Sequence, residues 1–204
     1  MNEELVNGYF GSPQEFVSKA KAKGYKWVAY QWNDGTTGAQ QQAFASATKQ
    51  ACAGNLVFTV WLTRPFDAAT ARQAAVESQC EGIILEGEIP AVRPEAVNWP
   101  DVINELASLD IPKAVVSNFA PFVYEDGSPW PEKARPLIDD GWAYISECFI
   151  TEAPNATPAN TDFYAKTALG WPETQPMVEG WHLADYGDLS RYRNVSHWDA
   201  GNVL

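Results

Sequence analysis

The stretch EGIILEGEIP, residues 81–90, places Glu86 and Glu88 one residue apart at the end of an apolar run that reads as a buried β-strand. Side chains alternate along a strand, so Ile84, Glu86 and Glu88 share one face, and Ile83, Leu85 and Gly87 share the other. By the same alternation Met177, Glu179 and Trp181 share a face in QPMVEGW, and Val195, His197 and Asp199 share one in NVSHWD. If these faces turn toward a common centre, Glu86, Glu88, Glu179 and Asp199 converge at one mouth. Carboxylates crowded away from water repel each other and lose hydration, which separates a proton donor from an ionised partner. Cleavage of a glycosidic bond needs such a pair: an acid for the leaving oxygen and a carboxylate as nucleophile, base or charge stabiliser. Glu88, Glu86 and Glu179 are therefore the candidate catalytic residues. The competing reading of Glu86 and Glu88 is an internal ion pair with Arg64 or Arg93, or solvation at a rim.

Aromatic residues fit the same substrate class. Trp32, Trp61, Trp99, Trp130, Trp181 and Trp198 fall near the ends of strand-like runs or in the segments that follow, where flat faces can stack on sugar rings. The candidate substrate-binding set is Trp32, Trp61, Asn118, Tyr144, Trp181 and Asp199. Large core area is the alternative use of the aromatics. His182 and His197 are the only histidines, and without a third ligand at suitable spacing no metal site is expected. No cofactor is expected either, because no glycine-rich phosphate loop follows the first strand: NGYFGSPQE has neither G-x-G-x-x-G nor G-x-x-x-x-G-K-[ST].

Eight strand-like runs can carry these residues: 5–10, 26–32, 55–63, 81–88, 113–119, 142–150, 175–181 and 194–199. Helix-like segments lie between them. Ser12-Pro13-Gln14-Glu15 combines an N-cap serine, a proline at the first helical position and a capping-box glutamate, and Thr37 to Gln40 repeats the cap spacing. Asp67 precedes AATARQAAVES and Asn98 precedes WPDVINELASL, both as caps. Pro136 interrupts the fifth helical segment, and GDLSRY leaves barely a turn or two for the last. Strict alternation of strand and helix predicts an α/β fold, a compact single-domain (β/α)8 TIM barrel over residues 1–204, with an open doubly wound sheet as the runner-up. The long connections 89–98, 120–133 and 151–160 all follow strand C-termini, the face where such barrels place their sites.

The chain has 204 residues, 46% hydrophobic, enough for one substantial core. A net charge of −12 with scattered basic residues disfavours a phosphate-tracking surface, so no nucleic-acid partner is expected, and neutral or cationic ligands are favoured. MNEELVNGYF lacks the basic start and apolar core of a signal peptide, and no apolar run nears the roughly 20 residues of a membrane span. The expectation is a soluble chain without membrane insertion; a phage-delivered, virion-associated protein would look the same. Cys52 and Cys80 each precede a strand-like run and are either bridged or buried as free thiols, with Cys148 apart from them.

The run Glu81-Gly82-Ile83-Ile84-Leu85-Glu86-Gly87-Glu88 resembles the fourth-strand motif D-G-[IVL]-D-[IVL]-D-x-E of chitinase-like family 18 glycoside hydrolases, and its last three residues resemble the D-x-E of family 25 lysozymes. The resemblance implies a glycoside hydrolase with Glu88 as general acid and Glu86 as assisting carboxylate, acting on a poly- or oligosaccharide. Ile84 stands where the family has an aspartate, and Glu86 is longer than the family's assisting aspartate. The larger clan, whose acid follows the fourth strand and nucleophile the seventh, implies instead Glu86 or Glu88 paired with Glu179. The alternative to hydrolysis is an inactive glycosidase-like barrel, a carbohydrate-binding or structural module in a larger assembly such as a phage particle.

Overall fold

The computed structural model describes residues 2–7, 12–32, 38–54, 56–62, 66–87, 97–117, 122, 128–148, 155–179, 186, 188–192 and 194–198. Eight parallel strands occur in it: β1 (Asn2–Asn7), β2 (Trp27–Trp32), β3 (Val57–Leu62), β4 (Gly82–Glu86), β5 (Lys113–Ser117), β6 (Ala143–Cys148), β7 (Thr174–Glu179) and β8 (Asn194–Trp198). Each pairs with its sequence neighbours, and β8 pairs back onto β1. The helices are α1 (Pro13–Ala22), α2 (Gly38–Cys52), α3 (Ala68–Ser78), α4 (Trp99–Leu106), α5 (Pro131–Asp139) and α6 (Pro158–Phe163), the last running into a π-helical turn at Tyr164–Leu169. None among the described residues is long and apolar enough to cross a membrane.

Local chemistry explains the helix starts. The Ser12 hydroxyl accepts from the Glu15 N–H at 3.2 Å while the Glu15 carboxylate accepts from the Ser12 N–H at 3.1 Å, and Pro13 opens α1. Asp67 caps α3 by accepting from the Thr70 N–H at 2.7 Å. Asn98 behaves differently from the expected cap: it precedes α4, but its amide donates to the Asp101 carboxylate at 2.8 Å and no backbone N–H reaches its side chain. Thr37 lies outside the described residues. Pro136 does not end its helix, since α5 continues to Asp139 with Ala134 and Leu137 buried; packing of that face outweighs one missing N–H.

Strand side chains sort into two layers. Ala29, Trp61, Ile84, Ala114, Val116, Ile145 and Met177 form one cluster, the barrel interior. Val28, Tyr30, Phe58, Val60, Ile83, Leu85, Val115 and Tyr144 join a second cluster with helix residues such as Val17, Ala74, Val102 and Leu137. The alanines of α3 at 71, 74 and 75 leave short side chains where that helix meets the sheet. No α-helix links β7 to β8 among the described residues. There the outer faces of β6, β7 and β8 (Cys148, Val178, Val195) are covered by Tyr186 and Tyr192 from the connection itself. Among the described residues, these two large side chains cover that part of the sheet.

The three cysteines are free and buried, so the alternative of a Cys52–Cys80 bridge is not realised. Burial pushes the Cys52 thiol up to about 11 and, chiefly by desolvation, the Cys148 thiol up to about 12. A thiol whose pKa is raised on folding stabilises the native state below its unfolded value, and that contribution is lost as pH rises toward the folded value. The expected result is that a thiol reagent at pH 8 labels the native protein slowly and all three thiols quickly after denaturation, with stability falling from about pH 9 upward. Rapid labelling of native protein at pH 8 would refute the burial argument.

Candidate functional site

Glu86 is the last residue of β4, on the inner face set by Ile84, and only 7% exposed. Its position depends on the glycine that follows. The Gly87 N–H donates to the Val116 carbonyl at 2.7 Å, drawing the end of β4 onto β5. A Cβ at residue 87 would lie 3.0 Å from Ser117 Cβ, Val115 Cγ2 and the Val116 oxygen at once. Gly87→Ala must therefore part the two strands beside Glu86. The expected cost is about 1–3 kcal/mol, the range for overpacking, read as a lower denaturant midpoint; an unchanged midpoint would show that the contact is not restrictive.

A second buried carboxylate faces the same space. Along β6, Tyr144 and Cys148 pack outward and Ile145 inward, so Glu147, 6% exposed, belongs to the inner face. The register runs from Glu86 across to Val116 and on to Ile145, with Glu147 two residues further and opposite Met177. The two glutamates stand at the C-terminal ends of strands flanking β5, above an apolar floor of Ile84, Val116, Ile145 and Met177. Two strand spacings, about 10 Å in all, separate their backbone columns. Alternation places both side chains on the inner face at the same end of the barrel. The sequence reading passed over Glu147, which stands in phase with the inward Ile145 but lacks both the second carboxylate two residues on and the apolar flanks that picked out Glu86.

The remaining expectations fare unevenly. Tyr144 is corrected: it is 1% exposed, points outward and packs against Trp171 with ring centroids 4.8 Å apart, so it cannot touch a ligand in the barrel mouth. Burial holds its hydroxyl well above the ordinary tyrosine range. Trp32 is likewise corrected, since it packs on the outer cluster, edge-on to Tyr30 at 6.4 Å. Trp99 opens α4 and is core, 3% exposed. Trp61 does face inward but is 5% exposed, too enclosed to offer a stacking platform; its indole N–H has no hydrogen-bond partner among the described residues. In β8 the face assignment reverses, because Val195 packs outward with Val178 and Cys148. Glu179 ends β7, two residues after Met177. Glu88, Asn118, Trp181 and Asp199 lie outside the described residues. No group of three or more histidine, cysteine, aspartate or glutamate residues placed to hold a metal occurs among the described residues.

No protein-family model matches the chain, and no curated protein does. Solved structures match its fold. An N-acetylmannosamine-6-phosphate 2-epimerase from Clostridium perfringens aligns with a TM-score of 0.60 at 14% identity, over 96% of this chain and 86% of that one. A dihydrodipicolinate synthase from Rhodopseudomonas palustris aligns with a TM-score of 0.62 at 10% identity, over 96% and 69%. A mandelate racemase/muconate lactonizing enzyme from a marine actinobacterium aligns with a TM-score of 0.55 at 13% identity, over 98% of this chain and 54% of that one. These identities show a TIM-type fold and nothing finer. The expectation of glycosidic-bond hydrolysis is overturned: the matched structures are an epimerase, a synthase and a racemase-type enzyme, not glycoside hydrolases of family 18 or 25. The resemblance that led there covers one strand, in which Ile84 belongs to the apolar interior. The phage and virion readings gain no support from these structures either.

Proposed function

We propose that residues 1–204 form one lean (β/α)8 domain whose C-terminal mouth transfers protons at a carbon centre of a small neutral or cationic molecule. The observation that carries this reading is the pair of buried inner-face carboxylates, Glu86 and Glu147, at the ends of strands flanking β5. Two inner-face carboxylates two strand spacings apart suit stereochemical inversion of a carbon centre held between them. One takes the proton from one face of the carbon, and the other, carrying a proton, delivers it to the opposite face. The substrate gains and loses one proton, and the two carboxylates end with their protonation exchanged and reset through solvent. A neighbouring carbonyl makes such a C–H bond acidic enough for a carboxylate base, so the substrate class proposed is a small carbonyl compound.

The names of two matched structures, an epimerase and a racemase-type enzyme, favour this class over other acid–base reactions. The net charge of −12 disfavours anionic substrates. The test is proton NMR in D2O with a panel of uncharged and cationic amino, hydroxy and keto carbonyl compounds. The expected result is protein-dependent loss of a C–H signal next to the carbonyl. An absence of exchange across the panel would overturn the reading.

A further inference from the structure

The end of the barrel opposite Glu86 and Glu147 holds a cavity of about 300 Å³ between the starts of β2 to β7. Barrel interiors of this type are normally filled by layers of bulky branched side chains. Here three successive strands, β4, β5 and β6, supply Gly82, Ala114 and Ala143 to the lining, and among the described residues no bulky side chain fills the layer. A Cβ at residue 82 would come 3.1 Å from Thr59 Oγ1, so glycine there keeps the cavity wall back.

The walls are mostly apolar, with Ile84 and Ile145 as the floor, the half-buried Trp27 along one side, and Thr59 and Gln175 as uncharged polar members of the lining. At the rim Val57 is 44% exposed. The rim charges are already engaged by the protein's own backbone. The Glu81 carboxylate accepts from the Phe58 N–H at 3.0 Å, and the Lys113 ammonium donates to the Leu109 carbonyl at 3.1 Å. An ionic ligand would have to displace these bonds, whereas an uncharged one need not. A dry apolar cavity of about 150 Å³ takes one benzene, so the volume here suits a two-ring molecule, and Trp27 offers a flat neighbour for it.

We infer that the N-terminal mouth is a second binding site, separate from the carboxylate pair, for an uncharged aromatic molecule of two fused rings. Indole is the probe. Calorimetric titration of the full chain is expected to show saturable binding. Ala143→Leu, at an exposed strand start where a larger side chain can be accommodated, is expected to fill the cavity and weaken that binding about tenfold or more. Should that variant fail to fold, cross-saturation from indole to methyl-labelled Ala114 and Ala143 in the wild-type protein reads the same contact. Absence of saturable binding, unchanged affinity in folded Ala143→Leu, or transfer that misses both alanine methyls would overturn the inference. So would dimerisation through this mouth in sedimentation, which would make a second copy the occupant.

Discussion

Glu86→Gln is expected to lower carbonyl-adjacent proton exchange by about 10²–10⁴, the usual contribution of a positioned acid or base. Glutamine keeps the length and hydrogen-bonding shape of glutamate and removes only the titratable proton, so folding should be little affected. Glu147→Gln is expected to fall in the same range. The two variants differ in a way that a structural role would not produce. If each carboxylate serves one face of the carbon, each variant loses solvent exchange from one stereoisomer and retains part of it from the other. The double variant should fall no further than the worse single one for inversion, because residues acting as a unit are not additive. Measuring deuterium incorporation separately from each enantiomer decides the matter. Equal retention of exchange from both enantiomers in Glu147→Gln would remove that residue from the chemistry.

Phe122→Ala is expected to have the largest effect on stability, about 3–5 kcal/mol, the range for deleting a fully enclosed phenylalanine. Phe122 has 0% exposure and touches three other rings, with centroids at 6.5 Å to Trp99, 6.4 Å to Tyr144 and 5.4 Å to Trp171. Trp142 extends the group through Trp99 at 6.3 Å. The backbone of the same residue is a tie point, since its carbonyl accepts from the Trp130 N–H at 2.7 Å and the Tyr164 hydroxyl at 2.9 Å. Removing the ring leaves a void bordered by rigid aromatics that cannot collapse into it, so the cavity penalty adds to the lost burial. In a chain of this size the melting temperature should drop on the order of 10 °C. Phe163 is the control: at 66% exposure its replacement by alanine should stay within about 0.5 kcal/mol. A Phe122→Ala loss no greater than that of Phe163→Ala would mean the aromatic group is not a cooperative part of the core.

The legible part of this fold lay in short-range chemistry. The capping box at Ser12 and Glu15 and the Asp67 cap act within one turn, so residue order alone specifies them. Strand positions were legible for the same reason, although β1 begins three residues before its apolar run, because pairing with β8 extends it to Asn2. The candidate site was legible only in part. Glu86 stood out because its strand is apolar on both sides up to that residue, whereas Glu147 sits among Ser146 and Cys148 and drew no notice.

The sequence by itself determined how many strands there are, their order, the alternation along each and the caps that start the first and third helices. It also determined that β4 ends in a charge followed by a residue without a side chain. Which face of each strand meets the axis was decided by the tertiary structure. Both faces of a barrel strand are buried, one by the interior and one by the outer layer, so hydrophobic alternation has no sign. Tyr144, Trp32 and Val195 turned outward and Glu147 inward once the ring of strands and the packing of Tyr186 and Tyr192 were in place. The N-terminal mouth is of the same kind. Gly82, Ala114 and Ala143 lie far apart in the chain, and only the pairing of β4, β5 and β6 brings three small residues together into one cavity.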